Sequence, residues 1–294
     1  MPPVSSASGR RIWFWVRQTV RVLLVLVALA YFSYCVYLYL TQDDQIYARS
    51  ANGVIIPTGT AIAEARAAGL VPWDHPTPGA ASPQGYVPVS FNQPAPRGTI
   101  VVFHGNGNWA ARRTLYVDAF ARRGFRTFLY EYPGYGGRPG EPHEQAIVPD
   151  ARALVRELSR DGHGPVYLWG ESLGSGVAAA VAADSTLPIQ GLVLLTPFNQ
   201  IIGVALYRYP YIPVTLLVRD RYDSVENLAR FTHPVAIVRC DEDEIVPPPL
   251  TLQLYAGLPE PKKMIVLHGV GHNDWPGAPG LSWWDDALDF VAPK

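Results

Sequence analysis

The sequence predicts an α/β fold, a mostly parallel sheet with helices on both faces, and three observations predict it. Apolar β-branched runs alternate with helix-length amphipathic stretches from Thr99 onward. Such alternation is the pattern of consecutive βαβ units. A serine-centred turn, Gly170-Glu171-Ser172-Leu173-Gly174, stands between the apolar run Pro165 to Trp169 and the small-residue run Gly176 to Ala183. Acidic residues and a histidine then follow two later strand-like runs.

Before the first of these strands the signals are sparser. Val22 to Leu40 is a run of 19 residues without a charge, preceded by Arg10, Arg11, Arg17 and Arg21. That length spans a bilayer. A cleaved signal peptide has a shorter apolar region followed by small residues, whereas Tyr37-Leu38-Tyr39-Leu40 here precedes Thr41-Gln42-Asp43-Asp44, so the run reads as an uncleaved signal anchor. Trp13 and Trp15 on one flank, and Tyr31, Tyr34, Tyr37 and Tyr39 on the other, suit the interfacial belts of a membrane. The alternative is a buried amphipathic helix. The arginines before the span put residues 1–21 in the cytoplasm as a basic N-terminus, residues 22–40 in the membrane and the rest of the chain in an extracytoplasmic space. Residues 41–94 read as a linker with N-terminal edge elements: a helix over Thr60 to Leu70, a proline-rich linker over Val71 to Pro83 and an edge strand over Tyr86 to Phe91.

From there the elements run in order. Thr99 to Phe103 is a buried-strand pattern ending in His104-Gly105-Asn106-Gly107-Asn108. A helix near Ala110 to Arg123, a strand over Thr127 to Tyr130 and a helix near Glu144 to Ser159 precede the serine turn. Gly191 to Leu195, Pro234 to Arg239 and Lys263 to Leu267 are further strands. The last two lead into Cys240-Asp241-Glu242-Asp243-Glu244-Ile245-Val246-Pro247 and His268-Gly269-Val270-Gly271-His272-Asn273-Asp274. Serine, acid and histidine thus come in that order, each on a loop after a strand. A serine hydroxyl becomes a nucleophile only with a base beside it and donors aimed at the oxyanion that forms, and a strand-to-helix turn supplies exposure and donors together.

On these five segments (HGNGN, YEYPGYG, GESLG, DEDEIVP and GVGHND) the chain resembles the α/β-hydrolase superfamily from about Ala95 to the C-terminus. With its N-terminal anchor and the stretch Tyr207 to Phe231, it is most similar to membrane-anchored abhydrolase-domain proteins, relatives of serine aminopeptidase-like hydrolases and depalmitoylases. The resemblance implies an α/β-hydrolase fold over 95–294 with a short cap at about 197–231. It implies Ser172 as nucleophile, His272 as base, and Asp243 as the acid because it stands four residues before Pro247, as in the family's D-x-x-x-P pattern. Asp241, Glu242 and Glu244 would be rim charges or loop hydrogen-bonders. The backbone N–H groups of Asn106 and Leu173 would form the oxyanion hole.

The remaining histidines read as structural: His104 within its loop, His268 at a strand end, and His75, His143, His163 and His233 on loops or the surface. With a net charge of −1 and lysine only at 262, 263 and 294, the chain has no nucleic-acid footprint. Gly134 to Gly140 lacks the lysine of a P-loop, no metal-ligand grouping stands out, and no cofactor is expected. Cys35, inside the apolar run, and Cys240, at a strand end, make an implausible disulfide. The expected activity is hydrolysis of a carboxylic ester or thioester, with an apolar cap segment (Ile201 to Leu217) either receiving an acyl chain or completing the core. A serine peptidase of aminopeptidase type and a catalytically silent binding protein are the alternatives.

Overall fold

A computed structural model describes residues 7–48, 56–73, 84–93, 97–278 and 282–293. The chain forms two compact units, Met1–Gln42 and Asp43–Lys294. A long helix, α1 (Ala7–Tyr47), opens it. From Arg11 on, α1 is the one segment among the described residues long and apolar enough to cross a membrane, with a mean hydropathy of 2.2. Val22, Leu24, Leu29 and Phe32 are all exposed, which leaves the helix surface apolar all round, as a lipid-facing helix requires.

The second unit is built on an eight-stranded sheet. In chain order its elements are α2 (Thr58–Ala67), β1 (Leu70–Pro72), β2 (Gly85–Pro88), β3 (Thr99–Phe103), α3 (Leu115–Ala121), β4 (Arg126–Tyr130), α4 (Glu144–Arg160), β5 (Val166–Glu171), α5 (Leu173–Ala182), β6 (Ile189–Leu195), α6 (Ile201–Arg208), α7 (Val214–Leu217), α8 (Ser224–Leu228), β7 (Val235–Cys240), α9 (Pro248–Gly257), β8 (Lys262–Leu267) and α10 (Ser282–Val291). The strand order is β1-β2-β4-β3-β5-β6-β7-β8. From β4 to β8 every neighbouring pair is parallel, while β1 and β2 join antiparallel.

This order fixes where a site can lie. Crossovers between parallel strands are right-handed, so α3, on the step from β3 to β4, and α4, on the step back from β4 to β5, cover opposite faces. The direction of winding reverses between β3 and β5, and the crevice beyond their carboxyl ends is the topological switch point where such sheets bind ligands. Phe103 is in register with Gly170. The loops leaving β3 and β5 therefore start level, about 5 Å apart.

Two sequence expectations need correction. Tyr86 to Phe91 does not form an edge: β2 lies between β1 and β4, and the edge is β1, within the stretch read as linker. Three residues are too few to show an alternating pattern, and Pro72, which has no N–H to donate, suits an edge strand. The helix expected near Ala110 to Arg123 is also two pieces, a 3-10 turn at Ala110–Arg112 and then α3. The Glu171 partners Arg113 and Tyr116 lie at and just after that break. His75 and residues 74–83 fall outside the described residues.

The core is aromatic on one side of the sheet. Trp169 of β5 stacks on Trp284 of α10 with ring centres 5.0 Å apart, and Trp283 and Trp284 are 4.5 Å apart. Phe120 of α3 and Trp275 meet the same group. Trp275 lies three residues after His272, so this cluster anchors the loop that carries the histidine.

A second buried feature spans β4 and α4. Asp150 accepts from Arg138 Nη1 at 2.8 Å and Nη2 at 2.7 Å, from Gln84 Nε2 at 3.1 Å and from the Tyr130 hydroxyl. Burial pushes the Asp150 carboxyl up, but the hydrogen bonds and charge of Arg138, with those of Tyr130 and Gln84, outweigh it and hold the acid below its ordinary range. A depressed folded-state pKa gives stability that is present above the unfolded value, about 3.9, and lost as pH falls through the folded value. Asp150→Asn leaves a buried guanidinium without its counter-charge, and is expected to cost about 3 kcal/mol by urea unfolding at pH 7. The difference from wild type should shrink below pH 4.

Candidate active site

Ser172 sits between β5 and α5 with φ 52° and ψ −115°. A non-glycine residue there carries about 1–3 kcal/mol of backbone strain. Its N–H donates to the Leu195 carbonyl at 2.9 Å, which pins the turn to β6. The turn is tight because Gly174 has no side chain: a Cβ there would stand 2.0 Å from the Phe103 carbonyl oxygen and 2.8 Å from that of His104. α5 can therefore press against the end of β3, which brings the HGNGN loop beside the serine. A Cβ on Gly105 would lie 3.6 Å from the Ser172 Cβ.

The acid and the histidine arrive from the two strands beyond β6. Asp243, on the loop after β7, is buried, and its Oδ1 accepts from the backbone N–H of Ile245 at 3.0 Å and of Val246 at 2.7 Å. Its Oδ2 lies 2.7 Å from His272 Nδ1, and His272 Nε2 lies 2.8 Å from Ser172 Oγ. His272 is 4% exposed. The two backbone donors hold the carboxylate in one orientation, and the carboxylate in turn fixes the ring. With Nδ1–H donating to Asp243, the free nitrogen faces the serine hydroxyl. The structure thus brings Ser172, His272 and Asp243 into one hydrogen-bonded chain.

Asp241 stands apart from it. Its Oδ2 lies 2.8 Å from Nδ1 of the exposed His268, and its Oδ1 accepts from the Gly269 N–H at 2.7 Å. The hydrogen bond from His268 holds its carboxyl below the usual range. Glu242 and Glu244 are exposed, with Glu244 Oε2 accepting from the His272 N–H at 3.4 Å. Leu173 opens α5, so its N–H has no helical acceptor. Asn106 follows Gly105 on the neighbouring loop. Cys240 is no rival nucleophile: burial, with the charges of Asp243 and Asp241, pushes its thiol up to about 12.

Two supporting carboxylates, Glu171 and Glu131, gave no signal in the sequence, whereas His104 takes the structural place within its loop that the sequence suggested. Glu171, beside the serine, is buried, with Oε1 accepting from Arg113 Nη2 at 2.7 Å and Oε2 from the Tyr116 hydroxyl at 3.0 Å. Glu131 is buried beneath the HGNGN loop, where it accepts from the Ala110 N–H at 3.0 Å and lies 3.2 Å from His104 Nε2. His104 is 1% exposed, and its Nδ1 lies 2.7 Å from the Gly105 carbonyl oxygen. His143 accepts from the Ala146 N–H and caps α4. The pairs made by Glu131 and Glu171 join residues 21 to 58 positions apart, a separation that no local pattern encodes.

The serine turn at the end of a central parallel strand, with its acid and histidine on the loops after β7 and β8, decides the architecture. The chain has the α/β-hydrolase fold. The profile of the serine aminopeptidase S33 family (Hydrolase_4) matches residues 94–218. An uncharacterized protein of Mycobacterium tuberculosis is 37% identical over 178 residues, which cover 60% of this chain and 63% of that protein. The lysophosphatidylserine lipase ABHD12 of Danio rerio is 30% identical over 175 residues, covering 53% of this chain and 46% of the relative. The chain thus spans between about half and two thirds of the length of these relatives. The crystal structure of the α/β hydrolase GrgF from a Penicillium species aligns with a TM-score of 0.53 at 18% identity, over 70% of this chain and 92% of that one, a likeness of fold. The chain resembles the abhydrolase-domain proteins within that fold.

In the fold's usual place for a cap, the α6–α7 region divides. Ile202, Ile212 and Val214 are buried, whereas Leu206, Tyr207, Tyr211 and Leu216 are exposed. Of the apolar segment expected over Ile201 to Leu217, some side chains thus complete the core while others are exposed.

Proposed function

We propose that this chain is a membrane-anchored serine hydrolase that cleaves carboxylic ester or thioester bonds of acyl substrates. The observation that carries the reading is the unbroken chain from buried Asp243 through His272 to Ser172, at 2.7 and 2.8 Å, on a strained turn. Ser172 Oγ attacks the acyl carbonyl carbon while His272 Nε2 takes its proton. The N–H groups of Leu173 and Asn106 receive the oxyanion, and Asp243 holds the charged imidazole in place. When the tetrahedral species collapses, the bond to the alcohol or thiol breaks and His272 returns the proton to that leaving group. Water, deprotonated by His272, then attacks the acyl-serine, releasing a carboxylic acid and restoring Ser172 with its proton. No metal or cofactor enters these steps.

Three features favour an acyl substrate: the accessible apolar side chains of α6 and α7, the apolar N-terminal helix, and the similarity of about half of the chain to a lysophosphatidylserine lipase. The helix would anchor the protein as a signal anchor with its arginine-rich end in the cytoplasm. If an apolar surface receives the chain, kcat/KM should rise up to about fourfold per added methylene, since each buried CH₂ is worth about 0.8 kcal/mol. The test compares p-nitrophenyl esters and acyl thioesters from two to sixteen carbons with aminoacyl amides, after labelling with a fluorophosphonate. A flat chain-length profile would remove the acyl-chain reading. A second reading, an aminopeptidase, draws on the S33 profile and on Glu244, a carboxylate beside the His272 loop suited to a substrate's free amine. Preference for the aminoacyl amides would favour it. Absence of labelling would leave a silent binding protein.

A further inference from the structure

The HGNGN loop is held from a direction that the hydrolase chemistry does not require. We propose that the last turn of α1, Asp43–Tyr47, is a positioning element of the oxyanion loop, acting through the side chain of Asn106. The inference rests on the serine-hydrolase reading, in which the Asn106 backbone N–H receives the oxyanion.

Four groups of contacts carry it. Asn106 Nδ2 donates to the Ile46 carbonyl at 2.8 Å, across 60 positions of sequence. Ile46 stands in the final turn of a helix, where carbonyls have no following N–H to accept from. The bond satisfies that carbonyl and ties the asparagine to a rigid element. Next, the Tyr47 hydroxyl donates to Asp220 Oδ2 at 2.6 Å and lies 3.1 Å from the Tyr222 hydroxyl, while Tyr47 itself is 0% exposed. Third, the Tyr47 carbonyl accepts from the Tyr135 hydroxyl, and the Tyr135 ring lies 5.4 Å from those of His104 and Tyr132. Tyr132 in turn donates to the His104 carbonyl at 2.6 Å. Finally, Asp43 pairs with Arg219 at 2.6 Å, and Gln45 Oε1 accepts from the Tyr209 hydroxyl at 2.6 Å. The turn thus reaches the loop by two routes, directly at Asn106 and through Tyr135 at His104, and is itself held at Tyr47 by buried groups.

Such a clamp matters because of where Asn106 sits. It has glycine on both sides, and glycine leaves the backbone free to choose among many directions. An oxyanion donor works only when it is already aimed at the position the charge will occupy. The Asn106 side chain removes that freedom without touching substrate. It is a positioning residue.

The test uses the full chain in detergent, as wild type, Asn106→Ala, Tyr47→Phe and the double variant. Both single variants keep the Asn106 backbone N–H. The readouts are kcat and KM on a p-nitrophenyl ester, the inhibition constant of an alkylboronic acid that forms a tetrahedral adduct on Ser172, and the unfolding midpoint. Asn106→Ala is expected to lower kcat about tenfold to a hundredfold with KM within about twofold of wild type, and to weaken the boronate by the same factor as kcat/KM. Tyr47→Phe should lower kcat less, and the double variant should lose less than the product of the two, because both act on one loop. A kcat for Asn106→Ala within about twofold of wild type would overturn the proposal, as would a fall in unfolding midpoint or a rise in KM without a loss in kcat. If Asn106→Ala fails to fold, Tyr47→Phe decides, and unchanged kcat and boronate affinity in it overturn the clamp. A wild type that neither turns over nor takes a fluorophosphonate overturns the hydrolase reading itself, an outcome separate from an active wild type that is indifferent to the clamp.

Discussion

Replacing Ser172 by alanine is expected to remove turnover altogether, with kcat falling by about a millionfold to the level set by binding and oxyanion donors alone. The size follows from what is lost. His272 loses the hydroxyl from which it takes a proton, and a base without its nucleophile contributes almost nothing, because the two act as a unit. Fluorophosphonate labelling should vanish together with activity. The fold should survive: the turn is held by the Ser172 N–H bond to Leu195 and by the Ser175 hydroxyl, which donates to the Ser172 carbonyl at 2.6 Å, and alanine keeps both backbone groups. The unfolding free energy should therefore fall by no more than about 1 kcal/mol, the contribution of the one hydrogen bond to His272 that alanine removes. Retained turnover in cleanly purified Ser172→Ala would move the nucleophile elsewhere.

How much of this was legible in the sequence depends on whether the signal was local. β3, β5 and β7 each begin and end within two residues of the apolar runs that predicted them, because a central parallel strand is buried on both faces and reads as a continuous apolar segment, and β8, a half-buried edge strand, ends where its apolar run ends. The serine turn was readable because its two glycines and serine form a short pattern, although the close approach that requires Gly174 is to Phe103 and His104, far away in sequence. β1 was not readable: its three residues gain their place only by pairing with β2. Glu131 and Glu171 were equally silent, since a carboxylate at or just after a strand end carries no mark of the partner it will meet, whether Arg113 or His104. The same holds for the Asn106 side chain, whose acceptor, the Ile46 carbonyl, is a backbone atom present at every position of the chain. Sequence order placed Ser172, Asp243 and His272 on loops after strands, and the structure brings their side chains together. Sequence order did not name the buried pairs that hold them in place.

The choice between the two aspartates shows where sequence and geometry reach the same residue by different routes, and it yields the second large effect. Asp243→Asn is expected to lower kcat by about 10⁴-fold, because an amide that accepts from the Ile245 and Val246 N–H groups through its oxygen must turn its NH₂ toward His272 and favour the wrong imidazole tautomer. With Nδ1 then acting as acceptor, the proton moves to Nε2, and the nitrogen facing Ser172 is no longer a base. Asp241→Asn, by contrast, should keep kcat within about threefold of wild type, since an exposed pair between Asp241 and His268 contributes little and touches neither Ser172 nor His272. The pH dependence separates the two further. Loss of Asp243 should leave the small residual rate rising toward high pH, where hydroxide replaces the missing base, whereas Asp241→Asn should keep the wild-type profile. The reverse ranking of the two variants would assign the acid to Asp241 and would require the loop after β7 to rearrange, since in the structure it is Asp243 whose carboxylate stands 2.7 Å from His272 Nδ1 and is held there by two backbone donors.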